Sequence, residues 1–495
     1  MESIVSSLNA IIWSDALIYL CLGAGLFFSY QTRFVQVRLF GEMIRLLRTG
    51  KSSERGISTF QALAVSLSGR VGTGNIAGVA AAIGFGGPGA VFWMWVVAFL
   101  GASTAYVESA LGQIYKEVDA GQYRGGPAYY IEKAMGQKWY AWIFAITTIV
   151  ATGLLLPGVQ ANSISSAAAV ALGSGDIINT SFGSIGTTEL TVAVVVVTIL
   201  GFIIFGGVKR IARFTQIVVP FMALAYILTA LVIIVMNFGA LPDVFALILR
   251  EAFTPQAGFG AAIGWGVKRG VYSNEAGQGT GPHAAAAAEV AHPAQQGLVQ
   301  AFSVYIDTLF VCSATAFIIL ITGAYHTTGG DGTLILGAPE LMSLDPNSPA
   351  FTQYALDSVF PGIGKPFVAF ALFFFAFTTL LAYYYIAETN VAYLHRTIKI
   401  PGMIFILKLG LMASVFYGAV KTASLAWGLG DIGVGLMAWL NIIGIVIIFF
   451  IGRPALKALR DYEAQRKAGT SQYTFDPEAL GINGAEFWRS KKDSG

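Results

Sequence analysis

Charge is scarce in this sequence. Asp, Glu, Lys and Arg make up 12% of its 495 residues, against 55% hydrophobic residues, and a soluble chain carries about 25% charged residues. That shortage excludes an ordinary soluble globular protein and points to a polytopic membrane protein. Cysteine occurs twice, as Cys21 and Cys312, each within an apolar run, so neither a disulfide framework nor a cysteine metal site is expected. The four histidines, His283, His292, His326 and His395, fall at loops or helix ends and share no metal or catalytic spacing. No H-E-x-x-H, no G-x-S-x-G elbow and no paired acid and base set is present, so nothing supports an enzyme. The net charge of +3 and the pI near 8.6 carry no sign of nucleic-acid binding. The opening MESIVSSLNAIIWSD lacks a basic n-region and does not read as a removable signal peptide.

What the sequence has is long apolar runs. LTVAVVVVTILGFIIFGG (190–207) and IVVPFMALAYILTALVIIVMNF (217–238) reach the roughly 20 residues that span a bilayer core. Hydropathy predicts about eleven transmembrane helices, at 14–30, 57–84, 89–115, 140–171, 190–207, 214–238, 256–282, 297–323, 364–390, 402–420 and 429–451. Lys and Arg test this topology. One set of alternate loops and the tail hold 23 of them, beginning with Arg33, Arg38, Arg45, Arg48, Lys51 and Arg55; the opposite loops hold only Arg250 and Lys421. The positive-inside rule then puts the N-terminus outside and the C-terminus in the cytoplasm. The tail, 452–495, is polar and reads as a cytoplasmic extension with no domain of its own.

One apolar segment is interrupted. SLSGRVGTGNIAG (66–78) carries Gly69, Gly72, Gly74 and Gly78 with Arg70, Thr73 and Asn75. About two hundred residues later RGVYSNEAG (269–277) matches RVGTGNIAG (70–78) as R-x-x-x-x-N-x-A-G. The two stretches lie five predicted helices apart, in helices running in opposite directions, as two five-helix units related by inversion would place them. The division is then 1–56, an N-terminal helix with a basic loop; 57–238 and 256–451, the two repeats, each starting with a broken helix; and the tail.

Glycine costs a helix about 1 kcal/mol relative to alanine, and unwound backbone at membrane depth persists only where protein buries it or a cavity adjoins it. A broken helix beside a binding site is therefore expected, its N–H groups offered to a carboxylate and its freed carbonyls to sodium. Close helix packing through small residues is the competing account, but it leaves Arg70, Thr73 and Asn75 unexplained. Around the second stretch, Gly264, Gly266 and Gly270 surround Trp265, which would wall a side-chain pocket; Lys268, Arg269 and Glu275 suit either substrate contact or a cytoplasmic ion-pair gate. Gln160, after Pro157 and Gly158, either ties helices together or meets a zwitterion. Thr378 and Thr379 either bond back to their own helix or ligate sodium. Glu108 and Asp307 suit coupling, or pairing with Arg70 or Arg269, and Arg70 itself is a gate residue or a structural counter-charge.

GGPGAVFWMWVVAFLG (86–101), VGTGNIAG, VKRGVYSNEAGQGTGP, VQANSI and FFFAFTTLLAYYYIAE together closely resemble the motifs of the alanine or glycine:cation symporter family, the bacterial sodium:alanine symporters, from about residue 10 to 455. The resemblance implies an all-α fold of the leucine-transporter type, a five-plus-five inverted repeat preceded by one extra helix. It implies sodium-driven uptake of small neutral amino acids such as alanine, glycine or glutamine in a bacterial inner membrane, with no cofactor beyond the co-transported sodium. It suggests Gly72, Thr73, Gly74, Asn75, Gln160, Trp265 and Gly266 as substrate contacts. Thr378 and Thr379 would hold sodium, completed by carbonyls near Arg70 and Val71. One departure is LLAYYYIAE (380–388), where the family pattern has Gly-Trp before the tyrosines. A proton-coupled symporter is the alternative, and an ion channel a remoter one that lacks a repeated filter loop.

Overall fold

The computed structural model describes residues 2–48, 50, 52–180, 183–254, 256 and 258–493. The chain opens with α1 (Glu2–Ile12) and α2 (Asp15–Gln31), bent by 42° at their junction. Short helices at Val35–Arg38 and Phe40–Leu46 lead to α3 (Thr59–Arg70), a single 3-10 turn at Thr73–Asn75, and α4 (Ala77–Gly86). Then come α5 (Gly89–Ile114), the hairpin β1 (Glu117–Asp119) and β2 (Gln122–Arg124), α6 (Pro127–Met135), and α7 (Lys138–Leu172) with a π-helical stretch at Ala151–Leu155. A second hairpin, β3 (Ile177–Thr180) and β4 (Gly183–Gly186), precedes α8 (Thr187–Ile204), α9 (Val208–Met236) and α10 (Leu241–Phe253). α11 (Phe259–Asn274) and α12 (Gly281–Ala287) form the second interrupted segment. α13 (Pro293–Thr322), π-helical at Tyr305–Cys312, is followed by β5 (His326–Thr328), β6 (Leu334–Gly337) and α14 (Ala350–Val359). The chain ends with α15 (Gly364–His395), α16 (Met403–Ala419), α17 (Ala423–Gly452), α18 (Pro454–Lys467) and α19 (Glu486–Asp493).

Among the described residues seven helices are long and apolar enough to cross a membrane, or eight if α1 and α2 count as one bent span. The interrupted segments and α16 fall short singly, because glycine divides the former and α16 has only 17 residues. Burial sorts the layers. α13 and α15 bury 72% of their apolar windows and α8 and α9 only 33%, so the former belong to the interior and the latter face lipid. α3 and α4 lie at the centre, where residues 62–84 are all buried. α5 packs on α11 and α13, and α7 on α15.

α3 starts where α12 ends. Ile57 donates its N–H to the Ala287 carbonyl (3.0 Å), and Glu289 donates to the Ile57 carbonyl (2.8 Å); at the other end Gly281, which opens α12, lies beside the guanidinium of Arg70, which closes α3, so α3 and α12 run in opposite directions. Their breaks, however, are not in register with the matched motifs. The first opens at Val71, directly after Arg70; the second opens at Glu275, six residues after Arg269. Val271, Tyr272 and Ser273 continue the helix in the second copy, and its glycines lie farther on, with Gly277 (φ 87°) and Gly279 (φ 81°) in left-handed backbone that glycine alone adopts freely.

The tail folds back onto the end of the bundle that carries the basic loops. Trp488, 3% exposed, donates Nε1–H to the Gln113 carbonyl (2.9 Å) and stacks edge-on with Phe475. Phe487, Trp488 and Tyr123 surround the buried Lys116 ammonium, at 4.6, 5.5 and 4.1 Å from their ring centroids, and Lys116 donates to the Ala288 carbonyl (2.9 Å). Lys491 pairs with Glu289 (2.9 Å).

Candidate functional site

Glycines at the first break let neighbouring elements reach its backbone. The Thr73 N–H, which in an unbroken helix would bind the Gly69 carbonyl, turns to Gln160 Oε1 (3.1 Å). The Gly72 N–H is capped by Asn75 Oδ1 (2.8 Å). A Cβ at Gly72 would overlap Thr379 Oγ1 and lie 3.0 Å from Gln160 Oε1; one at Gly74 would lie 3.2 Å from Ser273 Cα. So α7, α11 and α15 all close on four buried residues. Beyond α3, no described backbone N–H reaches the Arg70 or Val71 carbonyl.

The threonine pair divides. Thr379 donates to the Ser68 carbonyl (2.8 Å) and lies 3.0 Å from its own Phe375 carbonyl. Thr378 turns away, to Phe374 and Phe375 and to Met222 on α9, so only Thr379 joins the oxygen cluster. Gly72, Thr73, Gly74, Asn75, Arg70, Val71, Gln160 and Thr379 thus converge. Trp265 and Gly266 do not: they lie in the unbroken part of α11, where Trp265 stacks on Phe85 at the far end of α4 (4.6 Å, 26°) and Gly266 packs against Ala90 and Trp93. The break they were expected to line falls later, at Glu275.

Charges at the breaks are arranged with few direct pairs. Glu108 accepts from the Gly277 and Gly279 N–H groups (3.3 and 3.1 Å) and from Asn441 (2.7 Å). Asp307, in the π-helical stretch of α13, accepts from Asn75 (2.6 Å), Ser273 (3.0 Å) and Thr308 (2.7 Å). Among the described residues neither forms an ion pair with Arg70 or Arg269, the pairing reading of the sequence; backbone and amide donors face Glu108, and amide and hydroxyl donors face Asp307. Arg70 instead donates to the Gln300 carbonyl (3.1 Å) and to Ser303 Oγ. Arg269 and Lys268 both pair with Asp431 on α17 (2.8 and 2.7 Å). This cluster, backed by Trp427, lies toward the end opposite the basic loops, where a cavity of about 290 Å³ adjoins it.

Among the described residues, atoms of four side chains at the breaks are buried without hydrogen-bond partners: Thr73 Oγ1, Tyr272 Oη, Glu275 Oε1 and the Arg70 Nε and Nη2. Such groups cost about 1–3 kcal/mol each, and their concentration here suits a site completed by a ligand. Tyr272, Tyr383 and Trp427 escaped the sequence reading. Tyr272 lies inside RGVYSNEAG itself, with its ring 4.9 Å from that of Trp427; Tyr383 occupies the LLAYYYIAE departure and is buried. Among the described residues no group of three or more His, Cys, Asp or Glu is arranged to hold a metal; the oxygens at the first break are carbonyl and hydroxyl, which suit a monovalent hard cation.

Two antiparallel helices, each broken at mid-bundle with polar groups gathered between the breaks, define a multi-pass membrane transporter. The fold is that of the amino-acid-bound crystal structure of MhsT in complex with L-phenylalanine: TM-score 0.51 at 17% identity, over 81% of this chain and 100% of that one. The chain belongs to the sodium:alanine symporter family, whose profile matches residues 1–476. It is 58% identical, over 99% of its length and 98% of the relative's, to YrbD of Bacillus subtilis (strain 168), named provisionally as a sodium/proton-dependent alanine carrier protein. It is 49% identical to the sodium/proton-dependent alanine carrier protein of Bacillus sp. (strain PS3), over 90% and 97% of the two chains. GlnT of Bacillus subtilis (strain 168), named provisionally as a sodium/glutamine symporter, is 40% identical over 99% and 96%.

Proposed function

We propose that this protein is a sodium-coupled symporter that imports small neutral amino acids, alanine and glycine foremost and glutamine as a larger case, by alternating access. The observation that carries the reading is the first break, where Thr73 N–H meets Gln160 and Thr379 meets the Ser68 carbonyl. The N–H groups at the start of α4 bind the substrate carboxylate, with Gly72, Thr73, Gly74 and Asn75 around it, and the Gln160 amide lies beside the substrate. Sodium sits among Thr379 Oγ1 and the Ser68, Arg70 and Val71 carbonyls, which accept no backbone N–H beyond α3. Ion and carboxylate then strengthen each other's binding, and that reciprocity is the coupling. Trp265 and Gly266 belong to the outer wall of the route, and Thr378 steadies α15.

The architecture in this reading is about eleven transmembrane helices: one extra helix followed by two inverted five-helix units, 57–238 and 256–451. The chain lies in a bacterial plasma membrane with its N-terminus outside and its tail in the cytoplasm. Purified protein in liposomes should concentrate labelled alanine when an inward sodium gradient is imposed at constant pH, and alanine with sodium should raise its unfolding temperature. Uptake driven equally by a proton gradient without sodium refutes the sodium reading. It would favour proton coupling, to which the buried Glu108, Glu275 and Asp307 and the relatives' names give a specific basis.

A further inference from the structure

Three side chains hold the joint between the start of α3 and the end of α12. Gln113, in the last turn of α5, donates its amide to the Ala285 and Ala288 carbonyls, and Lys116 just beyond it donates to the Ala288 carbonyl as well. Glu289 accepts from Ser53 in the loop that leads into α3 (2.7 Å) and from Tyr123 on β2 (2.7 Å). Together with the two backbone bonds of Ile57 they close the bundle at the end that carries the basic loops.

The tail lands on these same three residues. Trp488 bonds the Gln113 carbonyl, Phe487 and Trp488 supply two of the rings around the Lys116 ammonium, and Lys491 donates to Glu289 Oε1. Glu486 reaches Lys133 on α6 (3.6 Å), and a Cβ on Gly484 would lie 2.7 Å from the Lys133 carbonyl, so backbone seats the tail as well as side chains. Ala485 is 0% exposed, the burial of a core residue. Beside the joint, by contrast, there is space. Thr59, the first residue of α3, borders a cavity of about 680 Å³ whose other walls include Ser471, Gln472, Tyr473 and Lys491 of the tail. The start of α3 has room to move on that side, and the bonds at the joint, with the tail across them, are what hold it.

Alternating access opens the site at one end while the other stays shut, and opening at this end parts Ile57 from Ala287 and Glu289. We propose that the C-terminal tail is a latch on this gate: docked, it holds the site shut toward the basic loops, and its release frees the joint and speeds transport. The latch rests on the alternating-access reading given above.

The test uses full-length protein carrying Cys21→Ala, which leaves Cys312 as its one thiol. Cys312 Sγ lies 3.3 Å from Asn75 Nδ2 and 3.2 Å from Ser273 Oγ, and the residue is 3% exposed, so a membrane-impermeant maleimide reaches it only through an open mouth. Trp488→Ala and Lys491→Glu are compared in this background, with release of the tail read by limited proteolysis. In inverted vesicles, whose outer face is the cytoplasmic one, Cys312 labelling should speed up about fivefold, the effect of one lost hydrogen bond on the gate equilibrium. Initial alanine uptake in proteoliposomes should rise about threefold on the same basis, with KM little changed. If the tail becomes protease-sensitive without a gain in labelling, or without a gain in uptake, the proposal is overturned. A tail that stays protected in both variants overturns the docking on which the latch depends. If wild-type protein takes up no alanine under any ion gradient, the amino-acid reading fails by itself, and labelling alone decides the latch.

Discussion

Gly72→Ala tests the geometry of the first break most directly. The added methyl would overlap Thr379 Oγ1 and sit 3.0 Å from Gln160 Oε1 and 3.3 Å from Thr379 Cβ, both inside the optimal separation of about 3.5–4.0 Å. Backbone strain is not the issue, because Gly72 has φ −139°, which alanine adopts. The cost is therefore steric: about 1–3 kcal/mol for overpacking, plus about 1 kcal/mol if Thr379 loses the Ser68 carbonyl or Gln160 loses the Thr73 N–H. Together these give about 2–4 kcal/mol, or roughly 30- to 700-fold in any equilibrium that needs the native geometry. Sodium-dependent alanine uptake should weaken by that order, measured as the sodium concentration for half-maximal rate. The double variant Gly72→Ala/Thr379→Ala removes the overlapping hydroxyl, so it should recover unfolding temperature but not sodium dependence. A Gly72→Ala protein with wild-type sodium response would show that Thr379 and Gln160 do not close on this backbone as described.

Thr379→Ala should raise the half-maximal sodium concentration at least tenfold, while Thr378→Ala, whose hydroxyl turns to its own helix and Met222, should change it by less than about threefold; equal effects would refute the split. Asp431→Asn should lower the unfolding temperature more than Arg269→Gln. Loss of Asp431 strips both Arg269 and Lys268 of their partner, and breaking a buried pair costs about 3–5 kcal/mol, whereas loss of Arg269 leaves Asp431 with Lys268 at 2.7 Å. Trp488→Ala should expose the tail to limited proteolysis after Lys467 while the bundle's unfolding temperature stays within a few degrees. The Glu289 carboxyl would be raised by burial, but hydrogen bonds from Tyr123, Lys491 and Ser53 outweigh this and bring it down to about 2. Its contribution to tail docking is thus complete above the ordinary carboxyl value near 4.5 and is lost only as pH falls toward 2; tail proteolysis should be flat between pH 5 and 8.

The helical class and the position of the first break were legible because they depend on local composition. Gly72 and Gly74 beside Thr73 and Asn75 cannot continue a helix in lipid, and the break falls there. The second break was misplaced for an instructive reason. The match between RVGTGNIAG and RGVYSNEAG records residue identity, but helix continuity there is decided by Val271, Tyr272 and Ser273 against Gly277 and Gly279 downstream. Trp265 entered through Gly264, Gly266 and Gly270 around it and through the family resemblance, and those glycines leave α11 unbroken. Tyr383 and Trp427 were illegible because nothing local distinguishes an aromatic residue buried in the bundle from one facing lipid; the distinction is made by α7, α11, α15 and α17 coming together. The same holds for Arg70, whose partners on α13 are some 230 residues away.

The two extremities of the described chain sit at opposite mouths of the bundle. Glu2, Val5 and Asn9 line the cavity beside Arg269 and Asp431, with Asn9 bonded to the Gly428 carbonyl at 2.8 Å, while α19 rests on the junction where α3 begins and α12 ends. Affinity tags and fluorescent fusions are thus not neutral handles on this protein. One added ahead of Glu2 adjoins the cavity beside Arg269 and Asp431, and one added after Asp493 adjoins the tail packed on Gln113 and Glu289, so rates measured on tagged and cleaved protein should be compared before any variant is interpreted.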